Sequence, residues 1–268
     1  ITMIEESVFS FCSSIKTITI PTTVTKIGPC CFYSCTSLSE IIIPTTVESI
    51  CKSAFYGCVE LKNIEIPTSV KIIEQGVFEG CSLLSNIIIP NSVTSIGFSI
   101  FNSCTSLTEI VIPTSITTIE ESSFCECSSL NRVSISETVQ KIGKFSFKKC
   151  TSLREITIPS SVNEIEESAF SECTSLLKVN KIGERAFNGC TSLTEFIIPS
   201  SLNEIEESVF NECTSLSHVE IPSSVTTIHD FAFHQCTSLA EIIIPLTVTK
   251  IGKGAFPQTT KVNQSNAE

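Results

Sequence analysis

The residues of this chain best equipped for chemistry are its fifteen cysteines and three histidines. A cysteine nucleophile needs a base within hydrogen-bond reach, and the nearest pairing in sequence is His234 with Cys236. A zinc site needs paired ligands at two places. Cys30-Cys31 and Cys125-x-Cys127 have no second pair at that spacing. Glu-Glu-Ser recurs at 120–122, 166–168 and 206–208. No loop there alternates oxygen ligands as calcium requires, so these glutamates read as a solvated acidic edge. No H-E-x-x-H, glycine-rich phosphate loop or G-x-S-x-G elbow occurs. The expectation is a chain without catalytic residues, cofactor or metal.

What positions these cysteines is a repeat. They fall at 12, 35, 58, 81, 104, 127, 150 and 173, always 23 apart, then at 190, 213 and 236 after one interval of 17. A phenylalanine stands three residues before each, from Phe9 to Phe233, and Phe256 closes the series. Self-similarity at such a period means stacked coils that bury a shared core none could bury alone. Eleven cysteines therefore form one column. Coils lie about 4.8 Å apart, but in-register side chains do not turn their Cβ atoms toward one another as a disulfide requires. Buried free thiols are expected there, with His234 and Cys236 held apart by the phase of the repeat. Cys30, Cys31, Cys51 and Cys125 lie outside the column and are the candidates for exposed thiols.

One unit reads C-T-S-L-x-x-I-x-I-P-x-S-V-x-x-I-x-x-x-A-F, as in residues 150–170. Its L-x-x-I-x-I part ends in the alternation of a half-buried strand, and proline follows it at nine positions, ending the strand because it cannot donate to the ladder. The return segment, V-x-x-I-x-x-x-x-F, is too short for a stable helix alone; strand, 3₁₀ turn and single helical turn all fit it. Six template residues are missing between Val179 and Asn180, which predicts a pinch or kink. The polar run 257–268 abandons the pattern, and disorder is expected over its last six residues. Residues 1–256 thus form one solenoid of about eleven coils. The chain opens inside a repeat, so an upstream part is expected.

Composition narrows the partners. The net charge of −11 excludes nucleic acid. No apolar run approaches the roughly 18 residues that span a bilayer. The face of the strands turned away from the core carries the one surface pattern. Its first column includes Glu40, Glu109, Glu155, Glu195 and Glu241, and its second includes Ile42, Ile88, Val111, Ile197 and Ile243. Aliphatic groups exposed in a row mark an interaction surface; passive copying of good strand formers would give the same row.

The core L-x-x-I-x-I resembles the leucine-rich repeat. Ser or Thr stands where the common pattern has Asn (Thr23, Thr46, Ser69, Ser92, Ser115, Thr138, Ser161, Ser201, Ser224 and Thr247). With the strand-ending proline, I-G-x-x-A-F and the 23-residue length, these departures identify the chain as a member of the BspA-like subfamily. A hydroxyl column would take over backbone hydrogen bonding that asparagines provide elsewhere. The resemblance implies an α/β but β-rich right-handed superhelix with a concave parallel sheet. It also implies a cell-surface or secreted protein that binds host or matrix proteins. A cytoplasmic scaffold is the alternative. Uncapped end coils would favour self-association.

Overall fold

The computed structural model describes residues 1–176, 185–198, 200 and 202–265. The chain winds as a right-handed β-solenoid, each coil laid in parallel register on the last. Front strands such as Thr17–Thr19 and Glu40–Ile42 pair Thr17 with Glu40 and Thr19 with Ile42. The return segments form a second parallel ladder of two-residue strands, among them Met3–Ile4, Lys26–Ile27, Ser49–Ile50, Ile72–Ile73 and Ser95–Ile96. Each residue thus faces its counterpart one repeat on, which fixes every column of side chains at once.

The β-rich right-handed superhelix that the resemblance implies is the observed fold, and no helix occurs among the described residues. The reason lies just after the return strand. In residues 51–58, alternate amides close turns within the coil: Ala54 onto Cys51, Tyr56 onto Ser53 and Cys58 onto Phe55. The amides between them, of Ser53, Phe55 and Gly57, bond carbonyls of the following coil. Ser53 and Gly57 hold φ at 53° and 67°, which no helix tolerates. The same pair of left-handed positions recurs along the chain, as at Ser99 and Ser103 or Phe145 and Lys149.

The core is built of columns. Phenylalanine rings from Phe9 to Phe256 stack coil on coil, with centroids 5.2–5.7 Å apart and planes within 2–19° of parallel. Each such offset pair contributes about 0.5–1.5 kcal/mol beyond its area burial. Phe170 stacks directly on Phe187 at 5.7 Å, so this column runs unbroken past the shortened coil. The expected pinch at 179–180 itself lies outside the described residues.

The hydroxyl column does what the sequence suggests in most coils, Ser92 being an exception whose buried hydroxyl meets no partner. Thr46, Ser69, Ser161 and Ser224 donate to the carbonyls of Val24, Val47, Val139 and Leu202 in the coil before, at 2.6–2.7 Å. Thr23, Ser115, Thr138 and Thr247 repeat the bond. The carbonyl two residues before these hydroxyls, a proline's except at Ser136, accepts a turn-closing amide, as Pro44 does from Val47 at 3.0 Å. Buried backbone carbonyls at this corner are thereby satisfied from within the chain.

Two expectations are corrected. Residues 261–265 form a strand, Lys261–Ser265, paired in parallel with Glu241–Pro245, where disorder is expected from 263 on. The last front strand would otherwise leave its ladder groups open, and these polar residues suit an edge. Thr260 Oγ1 also donates to the Leu239 carbonyl at 2.6 Å. Secondly, Cys31 and Cys51 are buried rather than exposed. Cys31 occupies the inward alanine position of the repeat, equivalent to Ala54, and Cys51 sits on the return corner against the next coil. Cys30 and Cys125 are half-buried.

Two substitutions test this packing. A Cβ on Gly97 would stand 2.3 Å from the Gln75 nitrogen, so Gly97→Ala should lower stability by about 1–3 kcal/mol in urea unfolding. Ser146 is buried at an inward alanine position with no partner for its hydroxyl. Ser146→Ala should therefore raise the urea midpoint, by about 1 kcal/mol of stability; a lower midpoint would mean the hydroxyl is satisfied.

Candidate protein-binding face

Most of the cysteines have a structural task. The phenylalanine carbonyl of each coil accepts the backbone amide of the cysteine three residues on, as Phe32 does from Cys35 at 3.1 Å. Its second lone pair takes the thiol of the next coil: Cys58 Sγ donates to Phe32 at 3.1 Å, and Cys104 Sγ to Phe78 at 3.1 Å. Ten thiols, from Cys35 to Cys236, make this bond at 2.9–3.2 Å. Burial pushes the Cys81, Cys173 and Cys236 thiols up to about 12, far from the thiolate a nucleophile needs. His234, the nearest base in sequence, turns Nδ1 toward Asn211 Oδ1 at 3.0 Å, while Cys236 donates to the Phe210 carbonyl.

The acidic edge is largely occupied by the chain's own cations. Lys141 Nζ lies 2.7 Å from Glu166 and 3.5 Å from Glu164, Lys144 pairs with Glu167 at 2.6 Å, and Arg185 reaches Glu207 at 2.8 Å. Glu204, Glu206 and His229 converge with one ligand atom each inside 4.8 Å. They are surface groups, and His229 Nε2 is engaged with Glu204 Oε2 at 2.8 Å. That bond, outweighing desolvation, raises the imidazole above its ordinary pKa. No other group of three such ligands converges among the described residues.

The front strands place side chains as their alternation dictates. Ile41 and Ile43 are buried while Glu40 and Ile42 point outward. Glu109, Glu155, Glu195 and Glu241 are exposed in the same column as Glu40. In the neighbouring column Ile42, Ile88, Val111, Ile197 and Ile243 are 59–75% exposed. The strand ladder brings all ten onto one face. Arg132 bridges to Glu109 at 3.3 Å across neighbouring coils. Lys178, in the first column, lies outside the described residues.

A third outward column, one residue before the first, carries Lys16, Lys62 and Arg154 among small polar residues. Its phase in the repeat makes it as readable as the other two, and sequence reasoning passed over it. Two hollows open on this face. One of about 810 Å³ is lined by Asn131, Arg132, Val133, Ser152, Arg154 and Glu155 among others; here Ser136 replaces the strand-ending proline. The other, of about 510 Å³, lies around His218, Glu220, Ile197 and Ile243.

The thiol assignment is checked by labelling and by pH. Cys12, Cys30 and Cys125, half-buried, should react with a thiol reagent in the folded chain, and the buried column only on unfolding. Since folded thiols ionise near 12 and free ones near 9, the unfolded chain binds fewer protons above pH 9. Stability is therefore full below about pH 9 and falls as pH rises toward 12. Urea midpoints that hold steady across that window would contradict the buried assignment.

Comparison with known proteins follows the same geometry. The family described as "BspA type Leucine rich repeat region" matches residues 2–131, 95–180 and 177–268. A leucine-rich repeat protein from Bacteroides ovatus superposes with a TM-score of 0.77 at 26% identity, over 99% of this chain and 88% of that one. One from Eubacterium ventriosum gives 0.64 at 25%, over 97% and 80%. A leucine rich cell surface protein from Faecalibacterium prausnitzii gives 0.52 at 27%, over 100% and 84%. A comparison with the curated proteins found no match. Repeat length, hydroxyl column, parallel coils and matched residues lead to one conclusion: the chain belongs to the BspA-type leucine-rich repeat family.

Proposed function

We propose that this solenoid is a cell-surface or secreted recognition module that binds a host or extracellular-matrix protein through its front strand face. The observation that carries the reading is the row of exposed aliphatics beside exposed glutamates on a rigid parallel ladder. Solenoid faces of this kind serve as extended binding surfaces, and a structurally similar chain from Faecalibacterium prausnitzii is a cell surface protein. No helix among the described residues is long and apolar enough to cross a membrane.

A second reading, an intracellular scaffold, draws on the unpaired cysteines, which suit a reducing compartment. Most of them are buried and hydrogen-bonded, however, and burial protects a thiol wherever the chain resides. The thiols therefore weigh little between the two.

The face is tested by reversing its charge. A variant carrying Glu109→Lys, Glu155→Lys and Glu195→Lys should bind an immobilised matrix protein about tenfold or more weakly than the parent chain, with an unchanged melting temperature. Equal binding by parent and variant would show that the glutamates take no part. Antibody labelling of intact source cells, lost after mild surface proteolysis, is the expected result for location; labelling only after permeabilisation would move the search to intracellular partners.

A further inference from the structure

The front face is not uniform. Lys16, Lys62, Arg132 and Arg154 stand among its carboxylates over the first part of the chain. Over the three coils containing Glu195–Ile197, His218–Glu220 and Glu241–Pro245 the pattern changes. Their outward residues are Glu195, His218 and Glu241 in one column and Ile197, Glu220 and Ile243 in the next. Thr194, Ser217 and Ala240 complete the third, so no lysine or arginine stands within this patch. Glu195 and Glu241 make no ion pair among the described residues, and Glu220 meets only His218, at 3.4 Å. The tail strand brings one cation, Lys261, into register beside Glu241.

Ile197 and Ile243 flank Glu220, two coils apart, and line the hollow of about 510 Å³ with it. Both are more than half exposed. A partner that neutralises the carboxylates while covering the isoleucines satisfies both features together. Charge also selects among occupants. A second copy of this chain, at −11, brings like charge to the patch, as does any polyanion. Resting on the strand-face reading above, we infer that this patch seats a cationic polypeptide segment that carries aliphatic side chains. Its ammonium or guanidinium groups lie against Glu195, Glu220 and Glu241, and its aliphatic groups lie on Ile197 and Ile243.

The test is fluorescence anisotropy of a labelled peptide built of lysine, valine and threonine, titrated with the full chain at low and moderate salt. Binding should be saturable and weaken as salt rises. It should fall about tenfold or more in the variant Glu195→Gln/Glu220→Gln/Glu241→Gln, the sum of three exposed charge contacts. Ile197→Thr/Ile243→Thr should weaken it as well, whereas Glu40→Gln/Glu65→Gln, elsewhere on the same face, should not. A peptide with glutamate for lysine should not bind. Equal loss in the Glu40/Glu65 variant would overturn the assignment to this patch, leaving only general attraction to an acidic chain. Full binding by either patch variant would also overturn it. If matrix binding responds to reversal at Glu109, Glu155 and Glu195 while the peptide ignores the patch variants, this inference fails and the strand-face function stands.

Discussion

The interaction on which the rest of this structure depends is the double use of the phenylalanine carbonyl. It accepts an amide from its own coil and a thiol from the next. A buried carbonyl with one lone pair unmet is tolerable, but repeated in every coil the cost would accumulate. Cysteine answers it with a side chain small and apolar enough for a fully enclosed column and a weak donor at its tip. Serine would bring a stronger donor and a larger desolvation cost, as Ser146 shows by its unpartnered hydroxyl. The phenylalanine stack lies directly beside this column, so one short segment per coil sets both the spacing and the rotational register of the whole ladder.

With register fixed from inside, the outer surfaces are free to vary. On the return edge that freedom is spent on ion pairs between coils, such as Lys144 with Glu167 and Lys149 with Glu126. These are partly exposed and contribute little each. On the front face the outward residues change from coil to coil without touching the core: Glu, Asn, Arg and His in one column, Ile, Glu, Val and Ser in the next. A surface that can be rewritten without refolding is what a recognition protein needs, and this is the physical link between the repeat and the proposed binding role.

Much of this was legible in the sequence because the repeat reports the same fact many times. The front strands, the buried thiols and the hydroxyl bonds to the preceding coil all follow from residue type at a fixed phase. The return path was not legible, because the left-handed positions that shape it are filled by Ser, Gly, Phe, Lys, Glu and Arg alike. Their conformation is imposed by the ladder rather than by local preference. Cys31 was readable and missed: its phase matches Ala54, which is plainly inward. The tail strand was hidden for a different reason. Lys261–Ser265 has no repeat signature, and only the open edge of Glu241–Pro245 gives it a place.

The central claim is that an internally locked ladder presents its front face, and not its return edge, to a protein partner. Carboxylate footprinting of the chain, free and bound to a matrix protein, tests this directly by mass spectrometry. The account predicts that Glu109, Glu155, Glu195 and Glu241 lose reactivity on binding, while Glu121, Glu167 and Glu207 on the return edge keep theirs. Shielding of the return-edge glutamates with the front column still reactive would contradict it.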